Sequence, residues 1–239
     1  MKSTRRIMGM PVTLEVPDGN DRAAAMEAAF DRLMWVDKVF STYKPDSQIS
    51  RLNRGELKAG QLDSEVRGVL AACEKMRKVT GGYFDIRRTG NEIDPSGYVK
   101  GWAIGEGAEI LRRAGVERYF VDAGGDMQVR GEWRVGIRNP FNRQEIVKAL
   151  RVSNVGVATS GTYERGEHIY DPHTGKPATG LASLTVVGPD IVTADVYATA
   201  AFAMGANGAE WVAAQGLECY AIAPDGTATF TPGLRQLFL

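Results

Sequence analysis

The sequence predicts an α+β fold, with a largely antiparallel sheet and packed helices. Two observations carry that expectation. Helical and strand-like segments come in blocks rather than in strict alternation, which argues against a doubly wound parallel sheet. The chain has 239 residues, 44% of them hydrophobic and 24% charged. That is enough to bury a real core in a single domain over 1–239, with two lobes as the alternative arrangement. No internal repeat or low-complexity linker divides the chain.

Each element has its own signal. Val12, Leu14 and Val16 alternate with polar residues, which reads as a strand. From about Asp21 to Phe40, the residues Met26, Phe30, Leu33, Met34, Val36 and Val39 recur at helical spacing. Ser64 is expected to cap a helix running to about Val79 and closed by Gly81-Gly82. A third helix is expected from Tyr98 to Arg113. Strands follow at Tyr119 to Val121, Trp133 to Ile137, Ala149 to Val152 and Leu184 to Val187, each short, rich in β-branched or aromatic residues and bounded by turns. Two helical patches, Asp195 to Met204 and Ala209 to Ala214, precede a strand near Cys219 to Ile222 and a polar hairpin.

The 29 basic and 29 acidic side chains cancel, so no general attraction to nucleic acid or to an anionic membrane is expected. Cys73 and Cys219 lie among apolar neighbours and read as buried free thiols rather than a disulfide. Ser3-Thr4-Arg5-Arg6 faintly resembles a twin-arginine export signal, but Pro11, Glu15, Pro17 and Asp18 interrupt the apolar segment that should follow, and there is no lipobox cysteine. The longest apolar stretch, near Val196 to Ala206, is too short to span a bilayer. As written, the chain is expected to be cytoplasmic, or periplasmic if an export leader is missing from this sequence.

Four features stand out chemically. Paired glycines in Asp122-Ala123-Gly124-Gly125-Asp126 allow close backbone approach to a ligand, or simply a tight turn. Asp85, Asp94, Asp122, Asp126, Asp171 and Asp195 sit beside Gly, Pro, aromatic or small apolar residues, settings that suit either turns or a hard cation. On a helix, Asp195 and Thr199 share one face, one turn apart, among small apolar residues. That pair reads equally as a helix cap or as part of a metal site. Both histidines, His168 and His173, flank an Asp-Pro turn, and their spacing matches no zinc motif.

Taken together, these stretches resemble the ApbE-type FAD:protein FMN transferase family over nearly the whole chain. Met8-Gly9-Met10 stands where the family has Met-Gly-Thr. The run from Ser41 to Asn53 is similar to its S-x-Y-x-x-x-S-x-I-S-x-L-N block, and Gly81 to Asp85 to its G-G-A-F-D. Asp94 to Gly101 is similar to D-L-G-G-I-A-K-G. The Asp122 to Asp126, Ala158 to Gly161, His168 to Pro172 and Ala194 to Thr199 segments follow in family order. The departures are Val99 for alanine, Pro95-Ser96 for Leu-Gly and Met10 for threonine, and none removes a carboxylate.

The resemblance implies a T-fold-like architecture and a magnesium-dependent enzyme. That enzyme would cut FAD, place FMN on a Thr or Ser hydroxyl of an acceptor protein and release AMP. It implies Asp195 and Thr199 as side-chain ligands of Mg2+, with the Val99 carbonyl as a backbone ligand. Met8, Tyr43, Tyr83, Phe84, Asp85, Ser96, Trp102, His168 and Ile169 would line the FAD site, between the lobes if there are two. Lys100 would sit near the reacting groups. His168 is the first candidate for the base, with Asp171 orienting or replacing it. Two alternatives stay open: an FAD pyrophosphatase yielding FMN and AMP, and a non-catalytic FAD-binding protein.

Overall fold

The computed structural model describes residues 1–17, 22–88, 92–161 and 169–239. The chain opens with a hairpin, β1 (Lys2–Ile7) and β2 (Met10–Glu15), followed by the helices α1 (Ala23–Phe40), α2 (Gln48–Asn53), α3 (Ser64–Val79) and α4 (Ser96–Arg113). Next come β3 (Tyr119–Ala123), β4 (Asp126–Arg130), β5 (Glu132–Arg138), β6 (Ile146–Ser153) and β7 (Gly156–Gly161). Two short strands, β8 (Tyr170–Asp171) and β9 (Lys176–Pro177), lead to β10 (Ser183–Gly188) and α5 (Ile191–Ala203). Then come α6 (Gly208–Ala214), β11 (Glu218–Ile222) and β12 (Ala228–Phe230), followed by a 3-10 helix at Pro232–Leu237.

The α+β expectation is borne out. One eight-stranded sheet has the order β1-β2-β3-β4-β7-β10-β11-β12, and all its pairings are antiparallel. Helices α1, α4 and α5 cover one face, where Val12, Leu14, Val121, Leu184 and Val186 meet Phe30, Leu33, Ile104 and Val196 in the larger core. The β5–β6 ribbon covers part of the other face. There Val135, Ile137, Leu150 and Val152 pack on Val129, Val157 and Val187 in a smaller core. The thiols of Cys73 and Cys219 are free and buried, as expected, and burial pushes both up to about 12.

Several boundaries move. Ser64 is the first residue of α3 rather than its cap; Asp63 holds the cap position, and its carboxylate accepts instead from the Gln48 amide. Helix α4 begins at Ser96, two residues before the expected Tyr98, because the Asp94 carboxylate accepts from the Ser96 backbone N–H at 3.0 Å and satisfies that end. Helix α5 begins at Ile191, with Asp190 as its cap accepting from the Thr193 N–H. Asp195 therefore lies inside the helix, which removes the cap reading for it. No helix among the described residues is long and apolar enough to cross a membrane.

Candidate active site

Two tight turns and two helices meet at one end of the sheet. The β1–β2 turn holds Met8 and Gly9, and the β3–β4 turn holds Gly124 and Gly125, all four at positive φ. That is the backbone of a two-residue hairpin whose twist matches its strands. The turns touch: the Gly124 N–H donates to the Pro11 carbonyl at 3.2 Å, and a Cβ on Gly124 would come within 3.0 Å of the Met10 sulfur. The glycine pair thus aims Asp126, the first residue of β4, into the helical layer.

There Asp126 meets Lys100 of α4 and Asp195 of α5. Lys100 Nζ forms an ion pair with Asp126 Oδ2 and lies 3.3 Å from Asp195 Oδ1. The other oxygens are also engaged. Asp126 Oδ1 accepts from the Thr159 N–H at 2.8 Å, and Asp195 Oδ2 from the Gly101 N–H at 2.9 Å. Both carboxylates are 2% exposed. Gly101 lets the helices close: a Cβ there would lie 3.0 Å from Asp195 Oδ2 and 3.1 Å from the Ile191 carbonyl. The start of α5 is pinned on the sheet side as well, because the Ile191 N–H donates to Gln128 Oε1 at 2.9 Å.

Two buried carboxylates share one ammonium, so the cluster carries surplus negative charge when both are ionised. Burial pushes the Asp195 carboxyl up to about 7; the Lys100 charge opposes the rise and Asp126 reinforces it. Burial also works against the Lys100 charge, but its attraction to Asp126 and Asp195 outweighs this and raises the amine above the ordinary lysine range. A cation beside Asp195 would relieve that surplus. Among the described residues no cluster of three or more His, Cys, Asp or Glu side chains is placed to hold a metal. In donor type the expected set, one carboxylate, one hydroxyl and one backbone carbonyl, suits magnesium, which takes one or two carboxylates and completes its shell with water and substrate phosphates.

The structure brings some of the expected residues together and sets others apart. Ser96, Val99 and Lys100 lie along the first turns of α4, and Thr199 lies one turn beyond Asp195 on α5. Phe84 is buried against the start of α4, where a Cβ on Gly97 would meet its ring at 3.3 Å. Tyr83 packs edge-on against His173, with ring centroids 4.5 Å apart. Asp85 accepts from both the backbone N–H and the Nε of Arg87 at 2.9 Å, and that pairing, offsetting burial, holds its carboxyl below the usual range. Tyr43 is 92% exposed just beyond α1. Trp102 points away from the cluster, packing edge-on against Phe40 at 5.4 Å under the Arg32 guanidinium. Ile169 packs against the larger core. Asp171 ties the β8–β9 turn, accepting from the His173 N–H at 2.9 Å and the Thr174 hydroxyl at 3.0 Å. His168 lies outside the described residues. Sequence reasoning grouped Asp126 with the other acids but did not foresee its pairing with Lys100. The available signal was a carboxylate placed directly after the glycine pair.

Fold and site define an α+β protein built on an eight-stranded antiparallel sheet, with a buried Lys-Asp-Asp cluster where two helices meet that sheet. The family model described as the ApbE family matches residues 8–89 and 86–221. The chain belongs to the ApbE family. A relative named FAD:protein FMN transferase from Klebsiella pneumoniae is 34% identical over 151 residues, covering 56% of this chain and 43% of that one. One of the same name from Haemophilus influenzae is 26% identical over 248 residues, covering 74% and 72%. The chain thus spans about two-fifths of the length of the first of these. Among solved structures, the flavin transferase ApbE from Vibrio cholerae has a TM-score of 0.85 at 22% identity, covering 99% of this chain and 98% of that one. Apo ApbE from Pseudomonas stutzeri has a TM-score of 0.83 at 24% identity, covering 100% and 96%. Both likenesses are of fold.

Proposed function

We propose that this protein transfers FMN from FAD to a Thr or Ser hydroxyl of an acceptor protein and releases AMP, with magnesium as the metal. The observation that carries the reading is the buried Lys100–Asp126–Asp195 cluster at the meeting of α4 and α5. Family membership and the names of the relatives support it. Asp195, Thr199 and the Val99 carbonyl would hold the ion, which would neutralise developing charge on the pyrophosphate oxygens.

The acceptor oxygen attacks the phosphorus that stays with riboflavin. The new P–O bond forms as the bond to the AMP phosphate breaks, and the hydroxyl proton passes to a base. His168 is the first candidate for that base, and Asp171 the second. The Lys100 ammonium, held charged by its two carboxylates, contributes fixed positive charge beside the phosphates. Asp126 and the Gly101 N–H keep Lys100 and Asp195 in place. Tyr43, Met8, Tyr83, Phe84, Asp85, Ser96, Trp102 and Ile169 are proposed as FAD contacts, with Tyr43 offering an open aromatic face.

The test is to incubate the protein with FAD, Mg2+ and a candidate acceptor domain, then to weigh the acceptor. The reading expects an FMN residue on the acceptor, equimolar AMP, and loss of both in EDTA. Undiminished transfer in excess EDTA would remove the metal from it.

A further inference from the structure

A groove of about 390 Å³ runs along the sheet face opposite the cluster. Its floor includes Phe120 and Asp122 of β3, and it ends at Gly124, Gly125 and Thr159. One wall is β5. The consecutive residues Trp133, Arg134, Val135 and Gly136 all line it. Side chains of consecutive strand residues point to opposite faces, so a run of this kind borders a cavity only along the strand's edge. Among the described residues β5 pairs with β6 alone, so that edge carries unpaired backbone groups. Such an edge is a template for an added strand.

The charge of the groove says what strand it suits. Arg134 and Arg138 both line it and are exposed, and neither has a carboxylate partner among the described residues. Lys2 also lines it, paired to Glu15 at 3.2 Å. Asp122 is the acid among its lining residues. From Phe120 to Gly124 the groove follows the strand for about 13 Å, at about 3.3 Å per residue, enough for a short extended segment. Its far end touches the active centre, because Thr159 lines the groove and its N–H holds Asp126, the partner of Lys100.

We infer that this groove is the acceptor channel: an extended, acidic segment of the acceptor protein adds to the β5 edge. Its carboxylates face Arg134 and Arg138, and its hydroxyl is presented at the Gly124–Gly125 end. The inference rests on the transferase reading and names where that reaction's protein substrate lies.

The test uses the full chain with FAD and Mg2+ and a synthetic octapeptide, blocked at both ends. The peptide carries a threonine near one end and two glutamates four residues apart. A second peptide has lysines in place of the glutamates. Amide NMR shifts are expected along β5 and at Gly124 and Gly125 with the acidic peptide and not with the basic one. In the double variant Arg134→Glu/Arg138→Glu, binding and flavinylation of the acidic peptide should each fall by about tenfold while FAD affinity stays unchanged. The milder Arg134→Ala/Arg138→Ala should lie between the two. Equal flavinylation by wild type and both variants, or shifts confined to another surface, would overturn the channel and leave the transferase reading standing. If the wild type binds the peptide in the groove but neither flavinylates it nor any acceptor domain, the transferase reading falls, and the acceptor role of the groove falls with it.

Discussion

The two faces of the sheet treat charge in opposite ways. On the helical face, Lys100, Asp126 and Asp195 are buried together, and both carboxylates have backbone donors as well as the ammonium. On the ribbon face, Arg134 and Arg138 are exposed and have no such partners among the described residues. Burying an ion carries a desolvation penalty of several kcal/mol, which only a well-placed counter-charge and hydrogen bonds offset. The members of the helical cluster therefore hold one another, and removing one strands the rest. The ribbon arginines contribute little to folding and stay available for a partner.

That contrast can be broken in graded steps. The largest effect is expected from Asp195→Asn, which can keep the contact to the Gly101 N–H while removing the charge. AMP release from FAD should fall by about a thousandfold with the fold intact by circular dichroism. A fall of less than tenfold would take Asp195 out of the chemistry. Lys100→Met should follow, because it leaves two carboxylates without their cation; urea unfolding should show a loss of about 3–5 kcal/mol. Gly156→Ala tests the scaffold beneath. A Cβ there would lie 2.3 Å from the Ile191 backbone nitrogen, so β7 and the start of α5 must part. A loss of about 2 kcal/mol is expected, with a weaker AMP-release rate as α5 shifts. The smallest effect belongs to the other face. Arg134→Glu/Arg138→Glu should change stability by no more than about 0.5 kcal/mol, and a larger loss would show that these arginines hold the ribbon in place.

Much of the fold was legible because its signals are local. Helix α1 shows its apolar stripe at helical spacing, and Met26, Phe30, Leu33, Val36 and Val39 are all buried. The strands β5 and β10 carry β-branched residues, Val135 and Ile137 in one and Thr185, Val186 and Val187 in the other, that reached the core as expected. Other elements had no such mark. Strand β1 buries only Ile7 and is otherwise polar, so its alternation lacks an apolar set. Strand β7 is nearly all buried, yet it is built from Gly, Val, Ala, Thr and Ser, small residues chosen because α5 packs directly on it. Strand β4 mixes Asp, Gln and Arg because Asp126 and Gln128 turn inward to hold Lys100 and the start of α5.

The site was legible through motif order rather than geometry. Asp195 and Thr199 stood out by their spacing on one helix face, while their metal role, with Val99 and Lys100, came from the resemblance; the structure places all four on two facing helices. The partnership of Asp126 with Lys100 was not legible, because it joins residues far apart in sequence through a sheet register that no local pattern encodes. The close approach of the helices at Gly101 was hidden for the same reason: a glycine inside a helix shows only that something comes near, not what.

The most direct measurement of the central claim is the mass of an acceptor domain after incubation with FAD and Mg2+, for wild type and Asp195→Asn side by side. The account predicts an added FMN residue with equimolar AMP for the wild type, and neither for the variant. Free FMN and AMP with an unmodified acceptor, or equal modification by both proteins, would contradict it.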